Sequence, residues 1–506
     1  MISISVITDQ VSQVRQLLRD NNLEEQVFIT NYSLVQQPSL SVVSNNDKSS
    51  IASNGICIRN NEITIEPNWS MHMPPVLFPV SIPFSKYNLL AIVHLFLGDE
   101  QASLDLASKN KELEKAVLTF TALKHQLPIT LNTEEADKGY EIHNLSLLSH
   151  YGLLNERLDF NGIRKMYLVA IDLSEGKQRQ AFTKYFYSLF LIDAGYVNEA
   201  IEVLEQVLKQ HLNKQQALIL KYQYADALLL SDKREESLGE LKPLIKELLE
   251  LSRGLLDEHQ EAMVWQLASD VAEMEENYME AIACLQKALN YFIKHQYDLL
   301  AANVQYKKGE MLLNWSHKGN PSMYGKAAEC YREAVKVFTK EATPEIFARV
   351  HHKLGMIYAD MPFQKEKRSM IAALSVTSFN EALQFFSKEK FPYEFAAIHQ
   401  DFGNAYLKYP DSLLNDNYSK AIQHYQEALA IRTKEAYPLE RSITLLNYLE
   451  TLWLLPQEDR LSESLLDEMQ AMANEVVEMD KDKGLTQEAQ RHLTDIEKLK
   501  IELKNA

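Results

Sequence analysis

The chain has 506 residues, 46% of them hydrophobic, and its 52 Lys and Arg against 70 Asp and Glu leave a formal net charge of −18. That balance argues against a phosphate-backbone ligand, which needs clustered Lys and Arg, and no basic groove stands out along the chain. With only 15 Gly and 15 Pro among abundant Leu, Ala, Glu and Lys, helix is expected through most of its length.

Residues 1–73 differ from the rest. Ile2–Ile7 alternates like a strand, Val11–Arg19 has helical periodicity, and Gln26–Thr30 reads as a second strand. Ser39–Ser53 is a polar, Ser- and Asn-rich loop, and Ile56–Glu66 is a hairpin with Asn60-Asn61 able to supply the turn. Together these predict a small N-terminal α/β module over 1–85, whose ordinary role is docking or capping. The alternative is a receiver-like opening, with Asp9 alone where an acidic pair is wanted. Pro74–Pro83 holds four prolines, so it is read as an extended connector, too short to span a bilayer. The first residues lack a basic leader and meet Asp9 almost at once, so no secretory signal is expected.

From Tyr87 a helical pattern begins. Leu89–Leu97, a turn at Gly98-Asp99 and Ala102–Ala107 form one short hairpin; Leu145–Leu153 and Phe160–Ile171 form another. Residues 86–180 are therefore expected to be divergent helical repeats. The three cysteines, Cys57, Cys284 and Cys330, make no CxxC and no even framework, so buried small residues in a reducing compartment are expected.

Further on the chain repeats itself. Thr339-Lys-Glu-Ala-Thr-Pro344, Ser387-Lys-Glu-Lys-Phe-Pro392 and Thr433-Lys-Glu-Ala-Tyr-Pro438 start 387 − 339 = 48 and 433 − 387 = 46 residues apart. In each, Pro suits the first turn of the following helix, where its missing N–H costs nothing. Gly355 and Gly403 stand eleven residues past Pro344 and Pro392. A mid-helix Gly costs about 1 kcal/mol against Ala, so its recurrence predicts a close helix crossing. The following helices read Phe379-x-x-Ala382-x-x-x-Phe386 and Tyr418-x-x-Ala421-x-x-x-Tyr425-x-x-Ala428, with a small residue expected opposite the glycine and an aromatic one turn later.

These residues resemble the tetratricopeptide repeat (TPR) pattern, and the resemblance extends to Gly195–Ala200, Tyr278–Ala281 and Tyr324–Ala334, with a degenerate copy at Glu235-Glu-Ser237. It implies a mainly α chain: a right-handed α-solenoid of TPR-like helical hairpins over 181–455, with extra length between paired helices near 314–324, 360–377 and 408–417. The helices Leu461–Met479 and Leu485–Leu503 within 456–506 would cap it. The Lys-Glu-x-x-Pro punctuation is similar to a bacterial TPR subtype found with caspase-like (CHAT-type) peptidases.

Catalytic and metal-binding patterns are missing from the sequence: there is no HExxH, no His pair at i, i+4 and no GxSxG. Gly319–Lys326 misses a P-loop by one residue and lacks Ser or Thr after the Lys. His351 and His399 share an offset on the buried side of successive helices, which predicts packing roles. The expectation is no catalysis, no cofactor and no metal. What remains is a groove lined by one face of the first helices. One residue past the glycine offset come Asp226, Asp270, Glu310, Met356, Asn404 and Glu450. Four residues before them come Tyr222, Gln266, Tyr306, His352, Gln400 and Leu446. An acidic row flanked by aromatics would suit a Lys- or Arg-bearing peptide or helix, although polar groups that merely solvate the face would give the same pattern. The resemblance implies a cytoplasmic scaffold for a protein or peptide partner, with no nucleic acid and no membrane. The alternative is a regulatory subunit whose superhelix switches on ligand binding to control an effector such as a peptidase.

Overall fold

The computed structural model describes residues 4–31, 54–69, 73–131, 136–255, 257–362, 365–410, 416–456, 462–479 and 481–505. The chain is mainly α, a stack of TPR-like helical hairpins with a small N-terminal α/β module, and it divides into two units, Met1–Leu267 and Ala268–Ala506.

The first unit opens with β1 (Ile4–Thr8), α1 (Val11–Asp20), β2 (Val27–Asn31), β3 (Asn54–Arg59), β4 (Glu62–Ile65) and β5 (Ile82–Pro83). The strands form one sheet in the order β2-β1-β3-β4-β5, with β1 parallel to both neighbours and the remaining pairs antiparallel. Asn60 and Asn61 take φ of 52° and 64°, the left-handed pair that a two-residue hairpin turn demands. Antiparallel β4 and β5 are not those of an all-parallel receiver sheet, and Asp9 is exposed beyond β1, so the receiver-like opening is corrected. The loop expected over Ser39–Ser53 lies outside the described residues.

Eight helices follow in this unit as α2 (Lys86–Leu97), α3 (Glu100–Ala107), α4 (Lys111–His125), α5 (Gly139–His150), α6 (Phe160–Asp172), α7 (Lys177–Asp193), α8 (Val197–Leu208) and α9 (Lys214–Leu230). Then come α10 (Leu238–Gly254) and α11 (Glu258–Met274), whose last turns reach the second unit. Gly98, at φ 91°, ends α2, and the next residue, Asp99, caps α3 by accepting from Ala102 N at 3.2 Å. One apolar core joins Ile4, Ile56 and Ile63 of the sheet to Leu89, Phe120 and Leu148 of the helices. The proline-rich connector is extended, with Val76, Leu77 and Phe78 buried. Prolines cannot complete a strand ladder, so side chains supply the missing partners. Asn144 of α5 both accepts from Leu77 N and donates to Leu77 O, each at 2.9 Å. Arg179 of α7 donates to Phe78 O at 2.6 Å and Ile65 O at 3.2 Å, tying connector and sheet to the helices.

The second unit continues with α12 (Tyr278–Lys294), α13 (Asp298–His317), α14 (Tyr324–Ala334), α15 (Pro344–Asp360), α16 (Arg368–Phe385), α17 (Pro392–Tyr406) and α18 (Asn417–Leu429). It ends with α19 (Pro438–Trp453), α20 (Glu463–Met479) and α21 (Lys483–Asn505). The prolines of the repeated stretch start α15, α17 and α19, as expected. Before them the chain makes the same turn three times: Thr343 N, Phe391 N and Tyr437 N donate to Thr339 O, Ser387 O and Thr433 O at 2.9–3.0 Å. The repeated Lys has its own task. Lys340, Lys388 and Lys434 reach forward to Glu381, Glu427 and Glu478 on the second helix of the next hairpin, at 3.1, 3.8 and 3.4 Å.

Inside the α13–α14, α15–α16 and α17–α18 hairpins an aromatic ring lies directly on the glycine. A Cβ built on Gly309, Gly355 or Gly403 would come within 3.0, 2.9 and 2.6 Å of the rings of Tyr331, Phe379 and Tyr425. This corrects the expected register of α16. Phe379 matches Tyr425, not Tyr418, so Ser375 takes the small position held elsewhere by Ala327 and Ala421. Ser375 Oγ donates to Gly355 O at 2.6 Å, a bond that alanine cannot make. Seven residues past the ring position a second buried column runs Phe338, Phe386 and then Arg432, 5%, 1% and 4% exposed. The 360–377 stretch, expected as extra length between helices, is largely helix, since α16 starts at Arg368. Likewise α13 runs to His317 before a 3-10 turn at Pro321–Met323. Part of the 408–417 stretch lies outside the described residues.

Candidate functional site

The face read from the sequence as a groove is carried by α9 and the start of α11 in the first unit, and by the end of α11 with α13, α15 and α17 in the second. In the first unit Tyr222, Asp226 and Gln266 are all half-buried. Asp226 accepts from Gln223 Nε2 at 3.3 Å, and Gln266 Nε2 donates to Met263 Sδ at 3.4 Å.

In the second unit most of the predicted row is occupied by bonds between neighbouring helices. Asp270 pairs with Lys307 Nζ at 2.6 Å, and His352 Nε2 meets Asp401 at 2.8 Å. Gln400 Oε1 accepts from Thr444 Oγ1 at 2.8 Å and from Arg432, while Asn404 accepts from the Tyr425 hydroxyl at 2.8 Å. Leu446 belongs to the core at 3% exposure, so its place in the row is corrected: an apolar side chain on that face packs inward. Met356 packs against the Phe379 cluster, and Glu450 is exposed.

Glu310 is different, because it stands at an opening, with the Tyr306 hydroxyl beside it. A cavity of about 300 Å³ lies among α11, α13, α14 and α15, lined by the charged groups of Asp270, Glu273, Lys307, Glu310 and Lys353. Met311 and Leu313 give it apolar walls, and Tyr331 and Asn314 complete it. Burial pushes the Glu310 carboxyl above its ordinary range, opposed by the charge of Lys353 and the hydroxyl of Tyr306. Burial and Glu310 together push the Tyr306 hydroxyl up to about 12. Tyr306 meets the Tyr331 ring edge-on, with centroids 5.6 Å apart. Sequence reasoning found Asp270 and Glu310 but missed Lys307, Lys353 and Tyr331, which reach the cavity from other faces and helices.

A second polar cluster joins α17 and α18. His399 Nδ1 and His424 Nδ1 lie 2.9 Å apart, and burial lowers both imidazoles to about 4, so the pair is neutral at pH 7. His399 is buried, and the Nδ1 of His351 is buried without a hydrogen-bond partner. No group of three or more His, Cys, Asp or Glu suited to a metal occurs among the described residues. Among them, too, no helix is long and apolar enough to cross a membrane.

No family model matches the sequence, and no curated protein is similar to it. Among solved structures, the chain is similar to a signal transduction ATPase with numerous domains, carrying a TPR sensor, from Pyrococcus horikoshii. Identity there is 15% and the TM-score 0.49, over 79% of this chain and 55% of that one, so this chain spans about half its length. It is similar to human IFIT1 solved with m7Gppp-AAAA at 14% identity and TM-score 0.43, over 80% of this chain and 89% of that one. The TPR2AB domain of yeast Sti1 with pHSP90 shares 14% identity at TM-score 0.22, over 62% of this chain and 98% of that one. Likenesses of this size say nothing about what the chain binds.

Proposed function

We propose that the chain is a non-catalytic TPR scaffold of the cytoplasm that binds a protein or peptide in a groove on the first-helix face. The reading rests on one observation: the cavity among α11, α13, α14 and α15 gathers five charged side chains and the buried hydroxyl-bearing ring of Tyr331. The acidic groups favour a partner with a basic segment, and the net charge of −18 disfavours nucleic acid. Peptides selected by display on the full chain provide the test. Replacing Asp270 and Glu310 by Ala should weaken the selected peptides several-fold at low salt, and the difference should shrink as salt screens exposed charges over about 8 Å. Unchanged affinity would remove the groove.

The regulatory reading has one observation of its own. The cavity lies where α11, α13 and α15, the first helices of three successive hairpins, meet, so an occupant ties them together. Control of an effector such as a CHAT-type peptidase would follow if solution scattering shows the array tightening when a peptide binds.

A further inference from the structure

The three glycine crossings of the second unit are copies of one another, and they differ in what stands at the residue after the glycine. In the α17–α18 hairpin the Tyr425 hydroxyl donates to Asn404 at 2.8 Å. In the α15–α16 hairpin the ring is Phe379 and the residue after the glycine is Met356, so that pair buries no polar group. In the α13–α14 hairpin the pair is Tyr331 and Glu310. Tyr331 is 0% exposed, its hydroxyl is buried without a hydrogen-bond partner, and the residue lines the 300 Å³ cavity. Burying an unpaired hydroxyl is unfavourable, and phenylalanine would pack the same ring without it. A hydroxyl kept in that place is explained by something that enters the cavity and bonds to it.

The charges say what enters. Three carboxylates, Asp270, Glu273 and Glu310, face two ammonium groups, Lys307 and Lys353, leaving 3 − 2 = 1 negative charge. Asp270 is engaged by Lys307, and Glu273 accepts from Asn314 Nδ2 at 2.9 Å. Glu310 feels the charge of Lys353, so the surplus negative charge belongs to the three carboxylates together. An anion would meet three carboxylates. A metal ion finds no group of three ligating side chains among the described residues. A single positive head on an aliphatic stem matches both the charge and the apolar walls of Met311 and Leu313.

Building on the scaffold reading, we propose that this cavity receives one arginine or lysine side chain of the bound peptide, its head donating to the Tyr331 hydroxyl oxygen and the Glu310 carboxylate. Asp270 and Lys307, paired with each other, hold the rim, and the peptide backbone runs along the first-helix face.

The test uses the full chain with N-acetyl-arginine amide and N-acetyl-lysine amide as probes, and N-acetyl-citrulline amide as the uncharged isostere, read by titration calorimetry and saturation-transfer NMR. The charged probes should bind and citrulline should be at least about tenfold weaker, as for the loss of a charge-assisted bond. Tyr331→Phe and Glu310→Gln should each weaken the charged probes about tenfold. Tyr425→Phe, which removes the hydroxyl of the sibling crossing, should leave them unchanged. Citrulline binding as well as arginine, no binding of either charged probe, or Tyr331→Phe binding like the parent chain would each overturn the proposal. Display selection separates this failure from that of the scaffold reading. Peptides whose basic residue is needed only when Tyr331 is present support the pocket. Selected peptides without a basic residue sink the pocket and leave the scaffold, whereas selection of no peptide at all sinks both.

Discussion

Replacing Gly403 by Ala puts the hairpin crossing under direct test. The new Cβ would sit 2.6 Å from Tyr425 Cε1 and 2.9 Å from Cζ, distances that force the ring to move. The ring is 0% exposed, and its hydroxyl is held by Asn404 at 2.8 Å, so it cannot swing aside without disturbing the core and that bond. Overpacking of this kind costs about 1–3 kcal/mol, and a strained hydrogen bond adds about 1 kcal/mol. Against this, alanine in a helix interior returns about 1 kcal/mol relative to glycine. The net expectation is a loss of about 1–3 kcal/mol. Gly239 in α10 has nothing within 4 Å of its would-be Cβ, so the same change there should stabilise by up to about 1 kcal/mol. Urea unfolding followed by circular dichroism, with hydrogen exchange on α17 and α18, reads the effect locally, since stacked hairpins need not unfold together. Smaller losses are expected at Gly309, where the nearest ring atom is 3.0 Å away. If Gly403→Ala unfolds no earlier than the parent, or shifts in the same direction as Gly239→Ala, the close crossing is not what the glycine is for.

Three further outcomes follow. Replacing Lys340, Lys388 and Lys434 together by Ala should lower stability by about 0.2–1 kcal/mol per pair in dilute buffer, and the deficit should vanish in urea melts run at high salt. Arg432→Ala removes one donor from Gln400 and from Thr444 and leaves a hole at a 4% exposed position, for a loss of about 2–4 kcal/mol, with Arg432→Met costing less by unfolding midpoint. The His399–His424 pair, with folded pKa values near 4 against about 6.5 unfolded, gives its full stability above pH 6.5 and loses it as pH falls toward 4. Glu427 and Lys388 face this pair with opposite effects, so His424→Ser, borrowed from Ser378 at the same place in α16, should flatten that slope by about half while Lys388→Ala leaves it standing.

The features legible in the sequence were those decided within a few residues. Proline starts to helices, the Asn60-Asn61 turn and the glycine crossings are local backbone requirements, so their residues announce them. Helix α4 carries local signals of the same kind: Asn110 caps it by accepting from Leu113 N at 3.3 Å, and Leu113, Ala116, Val117 and Phe120 keep helical spacing. The register of α16 was ambiguous because Phe379 and Phe386, both buried, each fit an aromatic position, and only the ring seated on Gly355 decides. The partners of the groove row were hidden for a different reason. They lie far along the chain, Lys307 37 residues from Asp270 and Asp401 49 from His352, so a face can be read from periodicity while its saturation cannot. The forward reach of the repeated lysines was hidden in the same way, although the lysines themselves were what made the repeat visible.

Arg432 has a consequence for how such a chain can change over generations. Phe338 and Phe386 fill their column with rings that any neighbouring hairpin accepts, so duplicating or excising a hairpin upstream leaves a workable joint. Arg432 instead is read by Gln400 on its own hairpin and by Thr444 and the Glu440 carbonyl on the following one. That joint accepts only its own neighbours. Gains and losses of whole hairpins should therefore cluster before α17 and stop there, making the last three hairpin elements a fixed terminus on an otherwise adjustable array.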